Sequence, residues 1–392
     1  MSQQPIYLDY AATTPAAPQV VEAMNQCMGV DGLFANPASE HALGQLAQRA
    51  IGQSYDAVAA LLGCRSEEII FTSGATEANN LALKGVFEFY GKRVEQPHLI
   101  TSKIEHKAVL DVADWLEQQG VAVTRLEPDS NGVVSAQQVQ AALRDDTLLV
   151  SIQHVNNELG VIQPIAEIAA VLANHSARLH VDAAQSVGKL PVDVQALGVD
   201  YLSVSAHKFY GPKGAGALYV RSEPRANLRA QIHGGAQQQG LRSGTLPTQQ
   251  IVGMAKAAEL VQQQLAQDMA HVRDLRQQLV AGLKTLAGVT IYGEQAAHVD
   301  HICNVSFEGI AGASLVYGLP HLMLSTGSAC NADSAEASYV LRAVGVDAQA
   351  PAANLRISLG RYTQAADIDV AVGQITELVT RLRAISPWWQ RD

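Results

Sequence analysis

Tyr201-Leu202-Ser203-Val204-Ser205-Ala206-His207-Lys208-Phe209-Tyr210 is the stretch that decides the fold. Its first half is short, uncharged and rich in strand-forming residues, and it reads as a strand buried on both faces of a sheet. A lysine ending such a buried strand, as Lys208 reads, stands at the carboxyl edge of the sheet, where open α/β sheets bind their ligands. The same unit recurs on both sides of this stretch. Ile69–Thr72, His98–Ser102, Ala122–Leu126, Leu148–Gln153, Leu179–Val181 and Ala215–Val220 read as further strands, with helical segments such as Thr76–Tyr90 and Ala108–Gln119 between them. This alternation predicts an α/β fold with a mostly parallel sheet.

The chain has 392 residues, beyond the size at which one hydrophobic core stops growing, so two units are expected. A Gln-rich amphipathic segment, Ile251–Leu286, reads as the bridge into the second. There Ile302–Phe307 and Leu355–Leu359 are expected as strands and Asp367–Ile385 as a closing helix. The expected division is a large α/β domain over residues 16–265 and a smaller α+β domain from 1–15 and 266–392.

Composition excludes several classes. With 48% hydrophobic and 16% charged residues the chain is not intrinsically disordered. So low a charge content hints at surface covered by a partner subunit. A net charge of −10 lacks the basic footprint of a general nucleic-acid binder. Met1–Pro5 has neither basic nor apolar character, so no secretory signal is expected. Apolar stretches such as Ile165–Ala173 are too short to span a bilayer. Cys27, Cys64, Cys303 and Cys330 form neither a CxxC pair nor a disulfide framework. A cytoplasmic protein with free thiols is the expectation. The cluster His298, Asp300, His301 and Cys303 mimics a metal site but reads as a solvated turn entering a strand, so no metal is expected.

Polar groups gather where the predicted strands end. Ser73-Gly74-Ala75-Thr76-Glu77 follows one strand and opens a helix. Its backbone N–H groups and the helix N-terminus could cup a phosphate, as many ordinary strand-to-helix turns could. Gly211–Gly216 is glycine-rich yet lacks the Lys-Ser/Thr ending of a nucleotide loop. Tyr219 occupies the third-glycine position of a dinucleotide fingerprint. Lys208 suits a Schiff-base amine or an ordinary snorkelling lysine. Asp182 suits a partner for a pyridine nitrogen or a helix cap. A Schiff-base lysine, an acid and a phosphate cup together are what pyridoxal phosphate requires.

These segments resemble the cysteine desulfurases, pyridoxal-phosphate enzymes of the class-V aminotransferase group with the fold-type I architecture. The resemblance is carried in order by Ile6–Pro15, Asn36-Pro37-Ala38-Ser39, Thr72–Glu77, Glu105-His106-Lys107, Asn156–Gly160, His180–Gly188, Ser205–Gly214, Arg242-Ser243-Gly244-Thr245, Ser328-Ala329-Cys330 and Arg356–Arg361. It is closest to the branch supplying sulfur for iron–sulfur clusters and tRNA thiolation.

The resemblance implies a role for each matching position. Lys208 holds pyridoxal 5'-phosphate covalently, Asp182 pairs with the pyridine nitrogen and Gln185 with the ring hydroxyl. His106 stacks on the ring and assists proton transfers, and Asn157 lies near the ring and the substrate carboxylate. Ala75, Thr76, Ser205 and His207 hold the phosphate. Thr245 reaches the phosphate of a neighbouring subunit, which implies a homodimer. Arg356 binds the carboxylate of L-cysteine; its two-pronged guanidinium suits that task, and a surface strand residue in a salt bridge is the alternative. Cys330, in the small polar segment Ser325–Glu336, takes the sulfur and leaves L-alanine. A sulfur-acceptor protein follows: an iron–sulfur scaffold, a tRNA-thiolation relay or a DNA-sulfur-modification protein. The housekeeping branch often carries a further C-terminal tail that docks the scaffold. This sequence runs to Asp392 soon after Pro387-Trp388-Trp389, so the acceptor stays open. The alternatives are a selenocysteine lyase or another class-V pyridoxal-phosphate enzyme, a cofactor-less scaffold, and more distantly a nicotinamide oxidoreductase.

Overall fold

Apolar runs too short for helices become the interior of sheets. The computed structural model describes residues 5–222, 227–310, 312–325, 338–347 and 352–389. Its strands are β1 (Ile6–Tyr7), β2 (Ile69–Thr72), β3 (His98–Ser102), β4 (Ala122–Leu126), β5 (Thr147–Ser151), β6 (Arg178–Asp182), β7 (Tyr201–Ser205), β8 (Gly216–Val220), β9 (Val289–Ile291), β10 (Ile302–Glu308), β11 (Leu322–Met323) and β12 (Ala352–Ser358). Seven of them form one sheet in the order β2-β8-β7-β6-β5-β3-β4. Only β8 runs against its neighbours, so the other six carboxyl ends share one edge.

Every residue of β2, β3, β5 and β7 is buried, because helices cover both faces of the sheet. Alternate residues of neighbouring strands serve opposite faces. Leu99, Leu149, Tyr201 and Leu218 pack against Leu81, Val86, Val109 and Val112 of helices Ala75–Tyr90 and Lys107–Gln118. Ile100, Val181 and Leu202 share the other core with Ile51 and Val58 of helix Ala42–Leu62 and Ile168 of helix Ile165–Leu172. The edge strand β4 is half-buried throughout.

The bridging helix spans Thr248–Leu283, three residues earlier than the amphipathic pattern suggests at each end. Pro247 stands just before its first turn with a non-helical backbone, φ −77° and ψ 87°, where its missing N–H costs no helical hydrogen bond. Its first part buries Ile251, Met254, Ala258 and Val261 in the core of the large sheet. Its last part buries Val272, Leu275, Leu279 and Leu283 in a second core. That core is completed by the antiparallel sheet β12-β10-β9 and by helix Ala365–Ala384, through Val305, Phe307, Leu355, Ile357, Ile368 and Ile375. β1 pairs with β11 in parallel beside it. No helix among the described residues is long and apolar enough to cross a membrane.

One expectation is corrected. The residues entering β10 are not a solvated turn: His301 is 3% exposed and Cys303 1%. Val299 is tied to Gly160 by a backbone hydrogen bond, and Leu359 donates to the His301 carbonyl, so two chain segments close over the turn.

Two buried histidines make the fold acid-sensitive. His98 sits between the hydroxyls of Thr147 (2.8 Å) and Thr124 (2.9 Å), and His180 between those of Ser151 (2.8 Å) and Ser203 (3.0 Å). Burial pulls each imidazole down to about 4 from an ordinary 6.5. The unfolded chain therefore takes up protons that the folded chain refuses, and stability falls as pH drops through that window. The denaturant midpoint is expected to hold steady above pH 7 and to decline between about pH 6.5 and 5, before most carboxylates titrate. A flat profile there would contradict the neutral, buried state of these rings.

Candidate active site

The carboxyl ends of β2, β3, β5, β6 and β7 open into a cavity of about 450 Å³. Its lining includes Ala75, Thr76, His106, Asn157, Asp182, Gln185, Ser205, His207, Lys208 and Arg356, so the fold brings together every described site residue expected from the sequence except Thr245. Thr245 is exposed on the surface of the chain, outside the cavity. Cys330 lies outside the described residues.

Lys208 does not end its strand. β7 stops at Ser205, and Ala206–Lys208 forms one tight helical turn beyond it. The turn aims the amine at the N-terminal segment, where Nζ donates to the carbonyls of Ala11 (2.6 Å) and Ala12 (2.9 Å). Gln185 Nε2 donates to the same Ala11 carbonyl at 2.8 Å.

Asp182 closes β6 and is almost wholly buried. One carboxylate oxygen accepts from Asn79 Nδ2 (2.7 Å), the other from the Ala184 backbone N–H (3.0 Å). The second bond is the local cap that the sequence allows. The first, from the helix beyond the cup, also fixes the carboxylate toward the cavity.

His106 caps helix Lys107–Gln118, with its Nδ1 accepting from the Ala108 N–H at 3.1 Å. Burial lowers the affinity of the ring for a proton; the Asp182 charge opposes that, and Lys208 and Arg356 reinforce it. A neutral ring whose Nδ1 accepts must carry its proton on Nε2. His207 is likewise held neutral, down to about 4, by burial and by Lys208 and Lys213. Its Nδ1 lies 3.0 Å from Thr13 Oγ1.

Ser73 and Gly74 form the turn between β2 and helix Ala75–Tyr90. Gly74 has φ 153°, open to glycine, and a Cβ on Gly216 would lie 2.5 Å from the Gly74 Cα. Glycine at both positions lets β8 approach the cup. Outside the cup, Arg242 braces Glu77 (2.8 Å), which also accepts from the Ser73 N–H (2.8 Å).

Arg356 is 2% exposed, so the surface-residue alternative fails. The ion pair is nonetheless real: Nη2 meets Asp9 at 2.9 Å, while Nη1 donates to the Asn157 carbonyl at 3.0 Å. Among the described residues its Nε and the Asn157 Oδ1 have no partner.

Several participants escaped the sequence reading. Asp9 was visible only as part of a resembling segment. Gln153, Lys213 and Tyr339 also line the cavity. Glu105 is fully buried; its carboxyl accepts from Ser102 (2.7 Å) and the Gln153 N–H (3.0 Å), and burial pushes it up to about 8. The segment bearing Cys330 is tied to the site on both flanks. Ser325 exchanges backbone hydrogen bonds with Arg356 (2.7 and 3.3 Å). Ser338 donates to Glu158 (2.5 Å), and Tyr339 to the Glu105 carbonyl (2.7 Å).

Comparison with known proteins agrees with this geometry. The family model described as aminotransferase class-V matches residues 6–370. The cysteine desulfurase IscS of Aeromonas salmonicida (strain A449) is 52% identical over 387 residues, 98% of this chain and 95% of that one. A NifS-like protein of known structure superposes with TM-score 0.89 at 37% identity, covering 97% of this chain and 100% of its own. An SspA protein solved in complex with cysteine gives TM-score 0.80 at 41% identity, over 92% and 100%. A match of this length and depth, over a cavity assembled from the expected positions, leaves one assignment: the chain belongs to the class-V aminotransferase family and, within it, to the cysteine desulfurases.

Proposed function

We propose that this protein uses pyridoxal 5'-phosphate to convert L-cysteine to L-alanine and carries the released sulfur as a persulfide on Cys330 to an acceptor protein. The observation that carries the reading is the presence of Lys208, Asp182 and a glycine-built cup in one cavity.

The donors and acceptors fit that cofactor. The N–H groups of Ala75 and Thr76 stand in the first helical turn, where no intrahelical acceptor exists. With the hydroxyls of Thr76 and Ser205 and the imidazole of His207 they make a donor set for a phosphate. Asp182, fixed by Asn79 and Ala184, suits a protonated pyridine nitrogen, and Gln185 suits the ring hydroxyl. The unpartnered Nε of Arg356 and Oδ1 of Asn157 are hydrogen-bonding capacity in reserve at the substrate side.

When bound, the cofactor supplies the electron sink that acidifies the substrate Cα–H and weakens its C–S bond. The chain supplies the rest. Arg356 grips the substrate carboxylate. Lys208 Nζ, freed from the carbonyls of Ala11 and Ala12, moves the Cα proton. His106, neutral with its proton on Nε2, is set to donate. The Cys330 thiolate attacks the substrate sulfur, so that a C–S bond breaks as an S–S bond forms. Five residues separate Cys330 from Ser325, a tether of at most about 18 Å at full extension.

We place Thr245 at a neighbouring subunit's phosphate in a homodimer, and the domain boundary within helix Thr248–Leu283, between its two cores. The acceptor belongs to iron–sulfur cluster assembly, tRNA thiolation or DNA sulfur modification. Among the described residues Cys27, Cys64 and Cys303 are free thiols, and the protein is placed in the cytoplasm. The test is direct. Protein loaded with pyridoxal phosphate and given L-cysteine is expected to release alanine and sulfane sulfur in equal amounts. Loaded protein that releases no alanine would overturn the reading.

A further inference from the structure

A second cavity, of about 140 Å³, lies behind the Lys208 turn. It is bounded by Gly188–Leu190 after β6, by Tyr210, by the middle of helix Thr248–Leu283 and by the turn entering β10. Tyr210 takes a left-handed backbone, φ 67°, rare for a large side chain. Its ring lies between two cations, Lys189 Nζ at 4.6 Å and the Arg361 guanidinium at 4.3 Å from the centroid.

Charge around this cavity does not balance. Asp268 is taken up by Arg361 through contacts of 2.7, 3.0 and 3.1 Å. Asp300 faces Arg273 at 3.4 Å. His298 Nδ1 is 2.9 Å from the Ala296 carbonyl. His301 is buried and held neutral by desolvation and by the charges of Lys189, Lys208 and Arg356, so it neutralises nothing. Among the described residues nothing accepts a hydrogen bond from Lys189 Nζ or forms an ion pair with it. Lys189 is half-buried, and that burial draws the amine down to about 8, still charged at neutral pH. A cation lining a small, partly open cavity, with both nearby carboxylates engaged by arginines, is a matched half of an ion pair.

We propose that this cavity binds one small oxyanion, of the size of phosphate or sulfate, with Lys189 as its principal partner. The cation–π contact with the Tyr210 ring holds the ammonium in place, and the volume excludes nucleotides and cofactor-sized phosphates. The site backs onto the reaction centre: Tyr210 is two residues from Lys208, its N–H bonds Thr14 Oγ1 (2.8 Å), and its hydroxyl accepts from the Arg361 N–H (2.7 Å).

The experiment uses protein already loaded with pyridoxal phosphate, so that the active-site phosphate position is filled. Thermal shifts are read against sodium phosphate and sodium sulfate at constant ionic strength, with chloride as the balance. A saturable rise is expected with either oxyanion, and Lys189→Met is expected to raise its midpoint at least tenfold, whereas Lys189→Arg keeps it within a few-fold. Selenate soaked into crystals of the loaded wild-type protein is expected to give an anomalous peak beside Lys189, a readout that needs no variant. Non-saturable stabilisation, an unchanged midpoint in Lys189→Met, or selenate density elsewhere would overturn the proposal and leave the cavity to water. If the protein takes up no cofactor, the selenate position still separates this cavity from the phosphate cup, so the two readings fail independently.

Discussion

Lys208→Ala protein is expected to lose alanine production by at least about 10²–10⁴-fold, the range that removal of a positioned proton-transfer group commonly costs. Loss of the covalent hold on the cofactor deepens the defect. The expectation rests on placement. The Lys208 amine ends a tight turn, and two carbonyls, at 2.6 and 2.9 Å, hold it at the cavity wall. Lys213 and Lys107 also line the cavity, but Lys213 lies beyond the Gly211-Pro212 bend and Lys107 in the first turn of its helix, so neither can inherit that position. Borohydride treatment followed by peptide mapping gives a second readout. In the wild-type protein the cofactor mass is expected on the peptide containing Lys208, and in the variant on none. Wild-type turnover by the variant would remove Lys208 from the mechanism.

Cys330→Ala protein is expected to keep the cofactor and to lose transferable sulfur by at least about a hundredfold, because no other described thiol can replace it. Cys27 and Cys303 are buried, and Cys64 is half-buried. Burial raises the Cys27 thiol, pushes Cys303 up to about 11, and with Glu68, Glu67 and Asp193 pushes Cys64 up to about 12. At pH 7 a thiol with a value of 11 is ionised to roughly one part in ten thousand, against a few per cent for an ordinary exposed one. Mass spectrometry after incubation with L-cysteine is expected to find the extra sulfur on the Cys330 peptide alone. Persulfide on the Cys303 or Cys64 peptide, with transfer intact in the variant, would move the acceptor role.

Much of this architecture was legible because its signals are local. Strands buried on both faces read as short runs without Asp, Glu, Lys or Arg, and β2, β3 and β7 stand where those runs do. Asp182 was legible as a charge at the end of such a run, and Lys208 as a charge three residues past one. Asp9, Glu105 and Gln153 were not. Asp9 meets Arg356 across almost the whole chain, a pairing no spacing rule reaches. Glu105 looks like an ordinary acid before a helix until the sheet closes around it and strips it of water. The turn entering β10 looked wet because it is rich in His and Asp. It is covered by residues distant in sequence, Gly160 and Leu359, which local composition does not reveal.

The carbonyls that hold Lys208 come from a strap at the start of the chain. Its residues 6–14 are fastened to β11, to Ser358 of β12, to Arg356 through Asp9 and to His207 through Thr14. Slack introduced there, by clipping that end or by pulling on a bulky fusion joined to it, would be felt at the amine itself. Tags are therefore better joined at the opposite terminus, since trimming those few residues would remove two carbonyls of the reaction cavity itself.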